Sequence, residues 1–172
     1  FPNEDERWER LQDYYFNTIS DCDRSVATVL DELETLDLLD STIVIFTSDH
    51  GEYCGAHGMH GKGSGAYREQ NNVPFIVYHP DVRGGQTCQV LSSHLDIIPT
   101  ILGLTDSEGK QKEEVLAALK GRNMAPVLGA STSEDMHAVR DAALFNFDMW
   151  SYMDADWMRK ILDPAQVKKN PR

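Results

Sequence analysis

Residues 42–62 read TIVIFTSDHGEYCGAHGMHGK, and the fold turns on how this stretch is read. The apolar run Thr42–Phe46 ends in Thr47-Ser48 and passes at once into Asp49-His50-Gly51, then into a loop rich in glycine and histidine. A short continuous apolar run that empties into polar, turn-forming residues fits a buried strand of a parallel sheet. Ligands gather at the carboxyl ends of such strands, where the connections leave a crevice. An adjacent carboxylate and imidazole there make a metal-ligand pair, although Asp and His also tolerate ordinary turn geometry. Lys62, twelve residues after His50, is a natural cation for an anionic substrate. The segment reads as part of an active site.

Upstream, the first forty residues read as one long helix. Leu11, Tyr15, Thr18, Cys22, Val26, Val29, Leu33 and Leu36 recur at spacings of three and four and make one mostly apolar stripe, a packing face against a sheet. Glu4, Asp5 and Glu6 crowd its first turn and complement the helix dipole. Asp37 to Asp40 connect it to the strand at 42–48, and a helix feeding a buried strand is half of a right-handed βαβ unit. Downstream, residues 49–72 form a long glycine-rich loop of the length that compact domains keep for function. Val73–Tyr78 reads as a second buried strand, Asp81–Gln86 as a turn using Gly84-Gly85, and Cys88–Leu91 as a brief strand. Asp96–Leu104 reads as a helix with Asp96 as N-cap and Pro99 in its first turn. Glu108–Lys120 is a helix closed by Gly121, Ala142–Phe147 a strand, and Trp150–Leu162 an amphipathic helix before a frayed tail.

Composition bounds the function. A chain of 172 residues suffices for one domain, burying about 70% of its unfolded surface if it folds alone. A net charge of −12 lacks the basic footprint of a nucleic-acid binder, so no nucleic-acid partner is expected. No apolar stretch approaches the roughly 20 residues of a spanning helix, and no membrane partner is expected. No signal-type segment opens the chain, which starts at Phe1 rather than Met; room for an upstream segment remains, and compartment is not legible. Cys22, Cys54 and Cys88 are odd in number and spaced unlike a disulfide framework or a zinc ribbon. Cys22 falls on the helix stripe as a small buried hydrophobe, and Cys54 lies in the glycine loop beside the site.

The order of these stretches resembles the C-terminal part of a sulfatase of the alkaline-phosphatase superfamily, a group that also holds phosphonate monoester hydrolases and phosphodiesterases. The resemblance runs through DRSVATVLDELETLDLLDSTIVIFTSDHGE, GAHGMHGKGSGAYREQNNVPFIVYHP, SSHLDIIPTILGL and GRNMAPVL, covering most of residues 13–128. It implies an α/β fold, an alkaline-phosphatase-like mixed sheet flanked by helices, present here as a C-terminal fragment. Residues 1–128 would belong to the catalytic domain and 129–172 to a C-terminal subdomain or tail. It further implies that Asp49 and His50 are the second pair of metal ligands and that Lys62 contacts the sulfate or phosphate group and the leaving oxygen. His57 stands where the family often carries a histidine and joins Lys62 as a candidate catalytic residue. Glu69 and Pro74 match the stretch after the loop, and His94 and Asp96 fall in a segment that holds the site wall.

Two family features are missing. No Cys or Ser is followed by x-Pro-x-Arg, the motif that carries the formylglycine nucleophile, and the acidic dyad supplying the first metal-ligand pair is absent. Both lie upstream in the family, so the chain is expected to hold half of an active site and to need the N-terminal part of the same enzyme as partner; a homo-oligomer is a further expectation. The implied function is metal-dependent hydrolysis of small anionic sulfate esters, with phosphonate or phosphate ester hydrolysis, or a catalytically inactive structural or binding fragment, as alternatives. Calcium is the leading divalent metal. Asp-His in place of Asp-Asn resembles the choline-sulfatase-like and phosphonate-hydrolase-like branch and keeps manganese and zinc open. His57 and His60, three apart, admit either a separate zinc site or hydrogen bonds within the loop.

Overall fold

The computed structural model describes residues 5–105, 109–129 and 135–147. The helix expected at Trp150–Leu162, with most of the expected 129–172 subdomain, lies outside them.

The long helix is present as α1, Asp5–Thr35. Its serine and threonine side chains return to carbonyls four residues back, as Thr18 Oγ1 does to Tyr14 and Thr28 Oγ1 to Arg24, so polar residues inside it are satisfied without leaving the helix. It stops through paired backbone bonds, Asp37 N–H to Glu34 C=O and Leu38 N–H to Leu33 C=O, with Asp37 in the left-handed conformation at φ 53°. That is a Schellman stop with aspartate where glycine is usual. The stripe does not serve as a buried face: no residue of α1 is buried, Val29 and Leu36 are more than half exposed, and Cys22 is exposed rather than packed. Its start leans on the rest, with Gln12 Nε2 donating to the Cys54 carbonyl at 3.2 Å.

A 3-10 turn at Leu39–Ser41 leads into β1, Val44–Thr47, which pairs with β2, Phe75–Tyr78. The pairing is antiparallel, in the register Val44–Tyr78 to Thr47–Phe75, and among the described residues the sheet has these two strands. The parallel reading of β1 is thereby corrected for this pair. Continuous apolarity signals burial on both faces and is silent about direction. Opposite residues share a face, so Phe46, Ile76 and Tyr78 lie together on one side and are exposed, while Ile45, Thr47, Phe75 and Val77 on the other are half-buried. Both faces are apolar, and the described residues shelter one of them.

The best-packed region is further along. A 3-10 turn, His94–Asp96, opens α3, Ile97–Leu104, and α5, Ala125–Leu128, packs on α3, with α2, Arg68–Asn71, and α4, Lys110–Ala118, the other helices among the described residues. Asp96 stands at the N-cap of α3, but its carboxylate makes no cap bond to that helix. It closes a capping box in which Ser93 Oγ accepts from Leu95 N–H and the Asp96 carboxylate accepts from Ser93 N–H at 2.8 Å. The same carboxylate, fully buried, also accepts from Arg122 N–H at 2.7 Å and from Arg140 Nε and Nη2. Met124 N–H donates to the buried Thr100 hydroxyl at 3.0 Å, and Tyr53, Met124 and Val139 are buried apolar residues among those described. The stretches 88–91 and 142–147 carry no strand: Leu91 N–H pairs singly with Met136 C=O, and one bond does not make a ladder.

Candidate active site

Strand β1 delivers Ser48, Asp49 and His50 at its carboxyl end. Ser48 Oγ donates to the His50 carbonyl at 2.8 Å, which turns the chain sharply after the strand. Gly51 is required next: its N–H bonds the Gln70 carbonyl at 2.7 Å, and a Cβ there would collide with the Glu69 carbonyl.

The His50 ring is oriented by its own turn. Nδ1 lies 2.8 Å from the Gly51 carbonyl oxygen, which can only accept, so Nδ1 carries the proton and Nε2 presents its lone pair. Lys62 Nζ sits 2.5 Å from that Nε2 and donates to it. Asp49 Oδ2 is 3.4 Å from the same nitrogen, with the carboxylate 82% exposed. The His50 backbone N–H, bonded to Asp49 Oδ1 at 2.9 Å, holds the Asp49 carboxyl below its usual range, and the Lys62 ammonium adds to it. Asp49, His50 and Lys62 therefore meet at one point, a charged carboxylate, a bare imidazole nitrogen and an ammonium.

The loop between them is built to bring Lys62 back. Tyr53 N–H bonds Gly61 C=O at 3.1 Å, the Glu52 carboxylate accepts from both Cys54 N–H and Gly61 N–H, and the buried Tyr53 hydroxyl donates to Gly65 C=O. Gln70, 5% exposed, fastens both ends: its carbonyl holds Gly51, the neighbour of His50, and its side-chain oxygen accepts from Gly63 N–H, the neighbour of Lys62, at 2.7 Å. Sequence reading missed Gln70, since nothing in its local pattern marks a buried amide. Burial pushes the Cys54 thiol up, and the Glu52 charge adds to it, so the thiolate is disfavoured.

His57 keeps different company. At φ 57° it stacks on Tyr67 with centroids 4.0 Å apart, and its Nε2 lies 3.3 Å from Glu69 Oε2. The Glu69 carboxyl is held below its usual range, first by its own backbone N–H and then by His57. His94 reaches the site from the second packed region, its Nε2 donating to the Ser48 carbonyl at 2.7 Å. A cavity of about 480 Å³ opens beside Asp49 and His50, with Asn71, Ser93 and His94 on its walls.

A divalent metal is the group the family resemblance implies, and the donor set fits part of one site. Asp49 offers a hard oxygen and His50 an unprotonated nitrogen on the same side. Among the described residues no group of three or more His, Cys, Asp or Glu converges, at 57 and 60 or elsewhere, so the pair is a fraction of a coordination shell.

A hydrolytic centre for a tetrahedral anion is the class this geometry suits, and the comparison with known families is specific. The sulfatase family model matches residues 1–107, and the chain belongs to that family, in the alkaline-phosphatase superfamily with its α/β fold. It is 32% identical to an endo-4-O-sulfatase of Bacteroides thetaiotaomicron over 86% of this chain and 28% of that protein. It is 33% identical to arylsulfatase K of Gallus gallus over 69% of this chain and 21% of the relative. With an ulvan-active sulfatase of Formosa agariphila it shares 30% identity over 77% of this chain and 29% of the relative. The chain thus spans about a quarter of the length of these relatives.

Proposed function

We propose that the protein carrying this chain hydrolyses sulfate esters, and that the chain supplies one half of the catalytic site. The observation that carries this reading is the meeting of Lys62 with His50 beside Asp49 at the end of β1. Asp49 and His50 would hold a divalent metal, calcium foremost, with manganese or zinc as the alternatives their mixed oxygen and nitrogen donors allow. When bound, the metal neutralises ester oxygens and lowers the pKa of the attacking hydroxyl. Lys62, whose ammonium lies against His50, would pair with charge growing on the sulfate and leaving oxygen. His57, through Tyr67 and Glu69, holds the shape of the loop that returns Lys62.

The formylglycine nucleophile and the remaining metal ligands are assigned to the N-terminal part of the same enzyme. Residues 1–128 are read as the C-terminal part of its catalytic domain, within a mixed sheet flanked by helices, and 129–172 as a subdomain or tail. The open apolar faces of β1, β2 and α1 support a missing covering part. Asp-His in place of Asp-Asn favours a second reading, phosphonate or phosphate ester hydrolysis at the same site, because both substrates are tetrahedral anions.

The test is metal analysis and turnover of the full-length protein with aryl sulfate, phosphate and phosphonate esters. Calcium with dominant sulfatase turnover is expected, and Lys62→Met should lower kcat by on the order of a hundredfold or more while Asp49→Ala strips the metal. Manganese or zinc with preferred phosphonate turnover selects the second reading. Metal content and activity unchanged in Asp49→Ala would defeat the ligand assignment, and an inert, metal-free protein would leave a binding scaffold.

A further inference from the structure

The Ser48 carbonyl stands one residue past the paired part of β1. The ladder closes at Thr47 opposite Phe75, so among the described residues no strand partner takes it. A side chain 46 residues away takes it instead: His94 Nε2 lies 2.7 Å from the oxygen. A carbonyl oxygen only accepts, so Nε2 carries the proton and donates.

Ser48 is in turn the hub of the site. Its hydroxyl donates to the His50 carbonyl at 2.8 Å and lies 3.5 Å from Asp49 Oδ1. Its carbonyl belongs to the planar peptide that opens Asp49, and turning that plane redirects the side chains that follow. The donor that holds the plane is set in the best-packed part of the chain. His94 opens the 3-10 turn His94–Asp96, which Ser93 and Asp96 close with a capping box. The fully buried Asp96 carboxylate is held by Arg122 N–H and by Arg140. The strand carrying Asp49 and His50 has no such support of its own, since Phe46 and Ile76 leave one face of its sheet open.

We infer that His94 is a positioning residue for the Asp49–His50 pair: it fixes the Ser48–Asp49 peptide, and with it the direction in which both side chains reach a divalent metal. The inference rests on the reading of Asp49 and His50 as metal ligands. His94 acts through Ser48, because its donor nitrogen is committed to the carbonyl. Outer partners of this kind carry about ten- to hundredfold of a site's metal affinity by holding the ligands in the geometry the ion needs.

The experiment strips the full-length protein with a chelator and titrates it with calcium and with manganese by calorimetry. Wild type is compared with His94→Leu, His94→Asn, His94→Gln and Asp49→Ala. The glutamine amide nitrogen reaches the place of Nε2 and the asparagine one falls short, so reach is separated from polarity. The metal dissociation constant should rise roughly tenfold or more in the Leu and Asn variants and stay within about threefold of wild type in the Gln variant. At saturating metal, kcat and KM for 4-nitrophenyl sulfate should return to within about threefold of wild type in all three. Unchanged metal affinity with a lowered melting temperature would mean a merely structural tie and overturn the inference. So would a Gln variant no better than Asn. His94 also borders the cavity beside Asp49, and a kcat/KM defect persisting at saturating metal would show the ring meeting substrate, which overturns it too. Should the Leu variant fail to fold, the Asn and Gln pair, equal in polarity, decides. Metal lost in Asp49→Ala but kept in every His94 variant sinks this inference alone. An Asp49→Ala protein that binds metal as wild type does sinks the ligand reading and this inference with it. A wild type that prefers phosphonate esters changes only the ester used, and the same titrations decide on His94.

Discussion

Gln70 shows how one side chain sets the relation between two others. Asp49, His50 and Lys62 are legible in the linear order because a strand end followed by Asp-His-Gly and a later Gly-Lys is a local pattern. Their distance is not local. It depends on a buried glutamine whose backbone and side-chain oxygens receive Gly51 and Gly63. Gln70→Leu keeps the volume and removes the acceptor, leaving the Gly63 N–H unpaired at a cost of about 1–3 kcal/mol. Turnover in the full-length protein should fall at least tenfold with a modest loss of thermal stability, whereas Gln70→Glu, which retains an acceptor oxygen, should recover much of it. Equal activity of the Leu and Glu variants would refute this role.

Between elements, the tie of greatest consequence is Asp96. Read as the N-cap of α3, it becomes in three dimensions the shared acceptor for Ser93, Arg122 and Arg140, residues as many as 44 positions away. The capping signal was visible in the order Ser-His-Leu-Asp; the arginines were not, because no local rule links a turn to a guanidinium that far along the chain. Removing one partner of a buried ion pair strands the other, at about 3–5 kcal/mol. Asp96→Ala should therefore lower the melting temperature by roughly 6–20 °C, by the usual 2–4 °C per kcal/mol for a chain of this size. Thermal unfolding followed by circular dichroism checks it, and a change under about 2 °C would mean that the cluster is dispensable.

For the chain as a unit, packing is uneven. The region around Asp96, Thr100 and Met124 is closed, while α1 and the Phe46–Ile76 side of the sheet stand open. Opening free energy follows local burial. In the isolated 172-residue chain, amides of residues 19–35 should exchange with solvent faster than those of Ile97–Leu104, and hydrogen exchange read by mass spectrometry decides it. Protection of α1 equal to that of α3 at low protein concentration would contradict the openness described here.

Local order was sufficient for α1, for both strands and for α3, since periodicity, capping and turn chemistry act over a few residues, and it marked Asp49, His50 and Lys62 as candidates. It was insufficient for the antiparallel pairing of β1 with β2, because apolarity reports burial and carries no sign of direction. It also misjudged 142–147: an apolar, β-prone run promises a strand, but a strand needs a neighbour's backbone, and in the described residues this segment instead borders the cavity by Asp49 and His50. Long-range hydrogen bonds through Gln70 tied the lysine's loop to the strand end, and those through Asp96 tied the turn at His94 to Arg122 and Arg140; such bonds have no signature short of the folded chain.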